Sequence, residues 1–128
     1  MAHDTMITVQ GYVGSDVRLV QAGGHPVANL RVATTPRRRV RSTGEWVDGE
    51  TQWFDVSAWR GLAEHVAESV HRGDPVLVHG RLSVRRFTRQ DGTEGIAQEI
   101  EALVLGHDLT WGVSRFTKAV RPQAAPAA

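Results

Sequence analysis

The sequence predicts an all-β domain with one short helix, folded as a small five-stranded barrel with long hairpin loops. Apolar and polar residues alternate along most of the chain, and this period of two is typical of half-buried strands. Residues 62–70 repeat their apolar side chains at helical spacing and predict the one helix. The strands are long and one contains an internal glycine, which suits a curved barrel better than a sandwich. A chain of 128 residues has room for one such domain with its own core.

The first two strands precede a long basic segment. Residues 6–13, MITVQGYV, alternate apolar and polar side chains and predict the first strand. The segment DVRLV at 16–20 is a candidate continuation of that strand, and Gly23-Gly24 predicts a turn. Residues 26–34, PVANLRVAT, predict the second strand, with Ala28, Leu30 and Val32 on one face.

A basic loop, the third strand and the helix come next. Pro36 and the arginines after it interrupt the alternation, so residues 35–50 predict a long hairpin loop rather than a tight turn. Residues 51–59, TQWFDVSAW, predict the third strand. The helix follows at 62–70, LAEHVAESV, and the sequence Arg-Gly-Asp-Pro ends it.

The last two strands form a predicted hairpin. Residues 76–87, VLVHGRLSVRRF, predict the fourth strand, and Gly80 inside it indicates a bulge or bend. An Asp91-Gly92 turn leads to residues 95–106, GIAQEIEALVLG. Their periodicity fits a helix or a strand, and we interpret them as the strand that pairs with the fourth. Three strands, a helix and two more strands form the order of the oligonucleotide-binding (OB) fold.

Charge is segregated along the chain, although the formal net charge is only +1. Residues 31–41 hold five arginines and residues 76–90 hold four, and neither block contains an acid. Two basic blocks on a near-neutral chain predict a local positive surface. The alternative is a pair of solvated loops.

The third strand predicts an unusual outward face. Alternation places Phe54, Val56 and Ala58 on one side, which is a plausible core face. The other side carries two tryptophans, Trp53 and Trp59, separated by Asp55 and Ser57. A buried face rarely accepts unpaired polar groups of this kind, so we predict that both rings are exposed. Alternatively, the rings pack against a subunit or the helix.

The fourth strand predicts a second outward face of the same type. We expect its four core residues to be Val76, Val78, Leu82 and Val84. The opposite face is predicted to carry Leu77, His79, Arg81, Ser83, Arg85 and Phe87. A bulge at Gly80 would change the register of the part that follows it. The alternative is an ordinary solvated face with the phenylalanine under a loop.

Exposed aromatic rings interleaved with arginines have a clear chemical use. Unpaired bases stack flat on such rings, each contributing about 1–3 kcal/mol, while arginines contact the phosphates. Duplex DNA keeps its bases stacked internally, so this surface suits single strands. Every base has a π-face, so the predicted binding is independent of sequence.

Several segments in order resemble the bacterial single-stranded DNA-binding protein family. They are VANLRVAT, a basic loop with TGEW, TQWFDVSAWRGLAE and RGDPVLVHGRLSVRRFTRQDG. The resemblance covers about residues 5–107. It implies that Trp53, Trp59 and Phe87 occupy base-stacking positions. Arg38 stands where the family usually has another aromatic residue, and Trp46 is a candidate substitute.

The resemblance also implies homotetramers around which DNA wraps. We predict twelve nucleic-acid-binding residues, namely Arg31, Arg37, Arg38, Arg39, Arg41, Trp46, Trp53, Trp59, Arg81, Arg85, Arg86 and Phe87. Residues 1–107 are the predicted domain for single-stranded DNA binding and oligomerisation. Residues 108–128 are a C-terminal extension whose last part is expected to be disordered, and we expect Trp111 and Phe116 to clamp a neighbouring subunit.

The end of the chain departs from the family's replicative members, which finish in an acidic tip that recruits replication and repair enzymes. Because no acid follows Asp108, that recruitment is not expected, and an accessory role in recombination, repair, DNA uptake or stress is predicted. An OB-fold RNA-binding protein and a protein-interaction module remain alternatives.

Other classes of function lack a matching pattern. The six histidines show no ligand spacing, and no nucleophile and base are arranged for catalysis, so we expect no metal, no cofactor and no enzymatic activity. The sequence shows no membrane span and no secretory signal. These features and the lack of cysteine predict a cytoplasmic, nucleoid-associated protein.

Overall fold

The computed structural model describes residues 3–120 of the chain. Within that range the chain forms eight strands, one α-helix and one short 3₁₀ helix. The elements in chain order are β1 (Thr5–Val13), β2 (Arg18–Ala22), β3 (His25–Thr34), β4 (Arg37–Arg39), β5 (Trp46–Asp48), β6 (Gln52–Trp59), α1 (Gly61–Ser69), β7 (Pro75–Thr88), β8 (Glu94–His107) and η1 (Leu109–Trp111).

Five long strands pair in a complete circuit. β1 pairs with β7, β7 with β8, β8 with β6, β6 with β3, and β3 again with β1. Only the β6–β8 pairing is parallel, and the others are antiparallel. This is the predicted five-stranded barrel, with the helix between the third and fourth of its strands.

The core lies inside this circuit and under α1. Buried side chains come from all five strands of the barrel, and the largest of those that are fully buried include Val13, Val32, Val56, Val78 and Ile100. Two valines of the predicted helical stripe, at positions 66 and 70, are buried, whereas the leucine at 62 is half-buried. The helix therefore covers the barrel with a narrow apolar face.

One predicted core residue is on the surface. Val84 is 58% exposed, although Val76 and Val78 on the same strand are fully buried. β7 and β8 extend beyond the barrel as a two-stranded arm, which comprises residues 83–98. Within residues 3–120, β8 is the only strand that pairs with residues 83–88 of β7, so alternation alone overestimated the length of the core-facing segment.

The segment at 16–20 does not continue the first strand. β2 pairs antiparallel with β3 through the Gly23-Gly24 turn, whose φ angles are 59° and 80°. Both glycines adopt the left-handed region that a two-residue hairpin turn requires. The chain leaves β1 at Ser15, whose hydroxyl accepts a hydrogen bond of 2.8 Å from the backbone N–H of Arg31.

The predicted irregularity at Gly80 is present, but the extra residue lies on the partner strand. His79 is opposite Val104 and Gly80 is opposite Ala102, so Leu103 has no counterpart in β7. β7 therefore keeps its alternation, and Arg81 lies on the same face as His79. A Cβ atom at Gly80 would collide with the carbonyl oxygen of Glu101, which explains the need for glycine there.

The long loop between the second and third barrel strands is more ordered than predicted. β4 and β5 form a two-stranded ribbon inside residues 35–50. Its base is closed by a 2.7 Å contact between the hydroxyls of Thr35 and Thr51.

Among residues 3–120, no helix is long and apolar enough to cross a membrane.

Candidate nucleic-acid interface

β6 presents the predicted pair of exposed tryptophans. Trp53 is 43% exposed and Trp59 is 39% exposed, whereas Phe54, Val56 and Ala58 on the other face are buried. The two rings are six positions apart on one strand, which corresponds to about 20 Å at about 3.3 Å per residue. The predicted division of this strand into a core face and an outward aromatic face is confirmed.

Trp53 is held between a glycine and an arginine. The guanidinium of Arg31 lies 4.6 Å from the Trp53 ring centroid, within the range of a cation–π interaction. A Cβ atom at Gly14 would lie 2.5 Å from Cζ3 of the same ring, so the indole packs directly on the Gly14 backbone. Arg31 Nε also contacts Asp55 Oδ1 at 3.3 Å.

Phe87 lies on the β7–β8 arm in a similar environment. It is the register partner of Gly95, and its ring covers that glycine. Two guanidinium groups approach the ring, from Arg85 at 5.7 Å and from Arg89 at 5.2 Å. Arg85 Nε contacts Glu99 Oε2 at 3.3 Å.

Arg89 is a residue that the sequence reasoning missed. It follows Phe87 by two positions, so continued alternation would have placed it on the same face. The predicted strand stopped at residue 87, whereas β7 continues to Thr88. The guanidinium Nη1 of Arg89 donates a 2.7 Å hydrogen bond to the backbone carbonyl oxygen of Glu94, and this bond holds the side chain across the end of the arm.

A groove of about 370 Å³ connects these two aromatic sites. Trp53 and Arg31 lie on one side of it, and Phe87, Arg85 and Arg89 lie on the other. We call it the small groove. The fold therefore brings together aromatic and basic residues that are more than thirty positions apart in the sequence.

A larger groove of about 760 Å³ continues from the small groove toward Trp59. The two grooves share Arg31 and Asp55, so they form one track across the outer surface. The large groove also contains three further carboxylates, which belong to Asp16, Glu99 and Glu101. Its surface is consequently of mixed charge.

The β4–β5 ribbon carries the second group of predicted residues. Arg37 and Arg39 share a face with Trp46, which is opposite Arg39 and 5.9 Å from the Arg37 guanidinium. Arg38 lies opposite Val47 and points to the other face. The residues that line the two grooves do not include any from the ribbon.

The fold brings acids to several arginines of the basic blocks. Arg81 lies between Asp4, at 3.2 Å, and Glu101, at 3.3 Å. Arg31, Arg37 and Arg85 also have a carboxylate partner each. Acids from neighbouring strands supply these partners, so the absence of acids within each block did not predict the charge of the surface.

Four predicted arginines keep their charge uncompensated. Within residues 3–120, no carboxylate lies within 4.0 Å of Arg38, Arg39, Arg41 or Arg86. Residues 3–120 also contain no group of three or more acidic or histidine side chains that could hold a metal ion. Among the predicted arginines, those without a carboxylate partner thus lie in the ribbon segment and on the arm.

A five-stranded barrel with one helix and a track of exposed rings across its outer face defines a class of small oligonucleotide-binding folds. Within this class, the chain belongs to the single-strand binding protein family, whose model matches residues 4–107. The resemblance found in the sequence is therefore confirmed. The family consists of binding proteins, so the prediction that the chain is not an enzyme is also confirmed.

Curated relatives support this assignment. The chain is 42% identical over 113 residues to single-stranded DNA-binding protein 2 of Tropheryma whipplei (strain Twist), and the match covers 88% of this chain and 74% of the relative. It is 42% identical over 122 residues to the single-stranded DNA-binding protein of Mycobacterium tuberculosis (strain ATCC 25618 / H37Rv), covering 94% of this chain and 74% of the relative.

Two solved structures share the fold. The small single-stranded DNA-binding protein from Streptomyces coelicolor superposes with a TM-score of 0.79 at 36% identity, covering 87% of this chain and all of that chain. The second single-stranded DNA-binding protein from Mycobacterium smegmatis gives a TM-score of 0.68 at 27% identity, covering 91% of this chain and all of that one. The predicted OB fold is confirmed.

Proposed function

We propose that this protein binds single-stranded DNA, without sequence preference and without catalysing a reaction. The observation that carries the proposal is the continuous track from Phe87 past Trp53 to Trp59, with arginines beside the rings. The printed names of the curated relatives describe single-stranded DNA-binding proteins, which supports the same ligand class.

The track explains how a flexible strand is held. Bases stack on the three rings, each stack contributing about 1–3 kcal/mol, and the phosphates between them contact the arginines. A single strand can turn its bases toward the protein, whereas a duplex presents only its backbone and groove edges to the same surface. Stacking therefore favours single strands, and it tolerates any base.

The β4–β5 ribbon folds over the bound strand in this proposal. Its uncompensated arginines, Arg38, Arg39 and Arg41, contact phosphates, while Trp46 offers a ring that is 59% exposed. Because Arg38 and Trp46 lie on opposite faces of the ribbon, they engage different parts of the strand. Arg81 and Arg86 complete the binding surface on β7, where Arg81 contributes less because two carboxylates contact it.

We also propose that the protein self-associates as a homotetramer. Residues 1–107 form the binding and oligomerisation domain, and residues 108–128 form a C-terminal extension. The extension carries strongly exposed apolar side chains, among them Trp111 at 66% and Phe116 at 89%, which a partner subunit would cover. The expected disorder of the last residues concerns positions 121–128, which lie outside the described range.

In the cell we place the protein in the cytoplasm with the nucleoid, in an accessory role in recombination, repair, DNA uptake or stress. The proposed role does not depend on a cofactor.

A fluorescence titration tests the binding proposal. Tryptophan emission is followed while oligo-dT, the matched duplex or a single-stranded RNA of equal length is added, at two salt concentrations. We expect quenching by oligo-dT, weaker binding of the duplex, and weaker binding of both at high salt because counterions are released. Equal affinity for single strand and duplex would contradict the proposal, and preferential binding of RNA would assign a different nucleic acid.

A further inference from the structure

Two aromatic sites in the small groove share an arrangement that their stacking role does not require. Arg31 lies on the Trp53 ring and contacts Asp55, and Arg85 lies near the Phe87 ring and contacts Glu99. Both ion pairs have the same Nε-to-carboxylate distance of 3.3 Å. Each site thus contains a ring, an arginine near it, and a carboxylate that holds that arginine. At Phe87 a second guanidinium, that of Arg89, is held instead by the backbone carbonyl of Glu94.

The two carboxylates are neighbours on adjacent strands. Asp55 on β6 and Glu99 on β8 are register partners in the parallel pairing, and both line the large groove. Asp55 is also the register partner of Arg31 across the β3–β6 pairing. The carboxylate pair consequently lies where the large groove meets the small groove, since Asp55 lines both grooves and Glu99 lines the large one.

This arrangement opposes the proposed ligand in two ways. A base cannot stack on a ring face that a guanidinium occupies, so the arginine has to move when the strand binds. The arginine then gains a phosphate partner, but it leaves a carboxylate behind. That carboxylate repels the phosphate that has taken its place.

We propose that Asp55 and Glu99 hold Arg31 and Arg85 against the rings of Trp53 and Phe87 in the unbound protein, and thereby limit the affinity and the salt dependence of single-strand binding. The inference rests on the proposed function. It assigns these two acids a role as positioning residues that act through the arginines.

The magnitude follows from the exposure of the ion pairs. All four side chains are 40–57% exposed, so each pair contributes only the small free energy of a surface salt bridge. Asp55→Asn and Glu99→Gln should each therefore tighten oligo-dT binding by about twofold to fivefold. Each should also steepen the salt dependence, by up to about 0.7 in log–log slope, since one more arginine is available for a phosphate.

The experiment compares the affinity of the full chain for oligo-dT at several salt concentrations. Glu68→Gln is the matched control, because it removes one negative charge from the exposed side of α1, away from both grooves. Thermal unfolding of each variant verifies that the fold is retained. We expect both groove variants to bind more tightly than the control, and an affinity equal to that of Glu68→Gln would overturn the inference.

A double-mutant cycle tests whether Asp55 acts through its arginine. In an Arg31→Ala background, Asp55→Asn should change the affinity no more than Glu68→Gln does, because no guanidinium remains to be released. An undiminished effect would mean that Asp55 repels phosphates directly and would overturn the positioning role. Weaker binding by Asp55→Asn alone would show that the carboxylate prepares Arg31 for DNA, which is the opposite of the inference.

The indole N–H resonance of Trp53 supplies a readout that needs no DNA. Release of Arg31 from the ring should shift this resonance in unbound Asp55→Asn, and an unchanged resonance would contradict the proposed contact. The proposed function fails separately, if the unaltered protein does not bind oligo-dT. If that protein binds and the variants match the control, only the role of the two carboxylates is wrong.

Discussion

At the scale of single residues, the two tryptophans of β6 have different surroundings despite similar exposure. Trp53 packs on the Gly14 backbone and carries the Arg31 guanidinium, whereas Trp59 lines the large groove beside Ser57. Alternation along one strand predicted that both rings point outward. It did not predict that Gly14 and Arg31 would contact Trp53, because these residues come from other parts of the barrel.

Replacement of either tryptophan tests its stacking role. Trp53→Ala and Trp59→Ala should each weaken binding of oligo-dT by about 1–3 kcal/mol, because a base loses its aromatic partner. Affinity is measured by fluorescence anisotropy of a labelled oligonucleotide, so that the lost tryptophan does not affect the signal. Trp53→Phe and Trp59→Phe are the matched controls and should recover part of the loss. If both alanine variants bind like the unaltered protein, the stacking surface lies elsewhere.

At the scale of elements, the basic loop proved to be a ribbon with two distinct faces. Arg37 contacts Asp48 at 3.5 Å, whereas Arg38 and Arg39 have no carboxylate within 4.0 Å in the described part of the chain. A block of arginines in the sequence shows how many arginines there are, but it does not show which carboxylates contact them. The ribbon register decided which of them remain available to phosphates.

The salt dependence of binding reports on these ribbon arginines. Changing Arg37, Arg38 and Arg39 together to alanine should flatten the log–log slope, and Arg38→Ala with Arg39→Ala should account for most of the effect. About 0.7 is expected for each lost phosphate contact with a single strand. Lys118→Ala is the control for general charge, since Lys118 is exposed in the C-terminal extension and lines neither groove. An unchanged slope in the triple variant would make the ribbon a solvated loop.

The length of the β7–β8 arm is a second feature at this scale that the sequence pattern did not predict. Val84 alternates correctly with its neighbours, yet it is exposed because the arm extends beyond the barrel. The same extension brings Phe87 and Arg89 to the small groove. Val84, the predicted core residue that is exposed, therefore lies close in sequence to the residues proposed to bind DNA.

At the scale of the whole molecule, the C-terminal extension begins firmly attached and then leaves the barrel. Gln10 Nε2 donates a 2.6 Å hydrogen bond to Asp108 Oδ2, and Thr110 N donates one of 3.0 Å to Asp108 Oδ1. These bonds hold the pKa of Asp108 below its usual range, with the Gln10 bond as the largest cause. His107 contacts Ser114 at 2.6 Å and Asp74 at 3.1 Å.

The exposed apolar residues of this extension can be tested in the assembled protein. Trp111→Ala combined with Phe116→Ala should shift the protein toward smaller assemblies at low concentration, because the substitutions remove the two rings that a partner subunit would cover. Sedimentation velocity over a range of concentrations measures the effect. Val120→Ala is a control at a residue that is also exposed, and it should change the distribution less. Identical sedimentation of all three proteins would exclude the extension from the subunit contacts.

The sequence by itself determined the class of fold and which side chains lie on the inward and outward faces of the barrel strands. Period-two alternation, one helical stripe and two turn signals were sufficient, because these are local consequences of backbone geometry. They identified the order of the barrel strands and the outward positions of Trp53, Trp59 and Phe87.

Only the tertiary structure decided which charges face each other and where the core ends. Asp55, Glu99 and Glu101 reach the arginines across strand pairings that no local pattern specifies. The bulge at Leu103, the ribbon and the length of the arm depend likewise on how distant strands meet. Burial and ion pairing are properties of neighbours in space, whereas alternation reports only on neighbours along the chain.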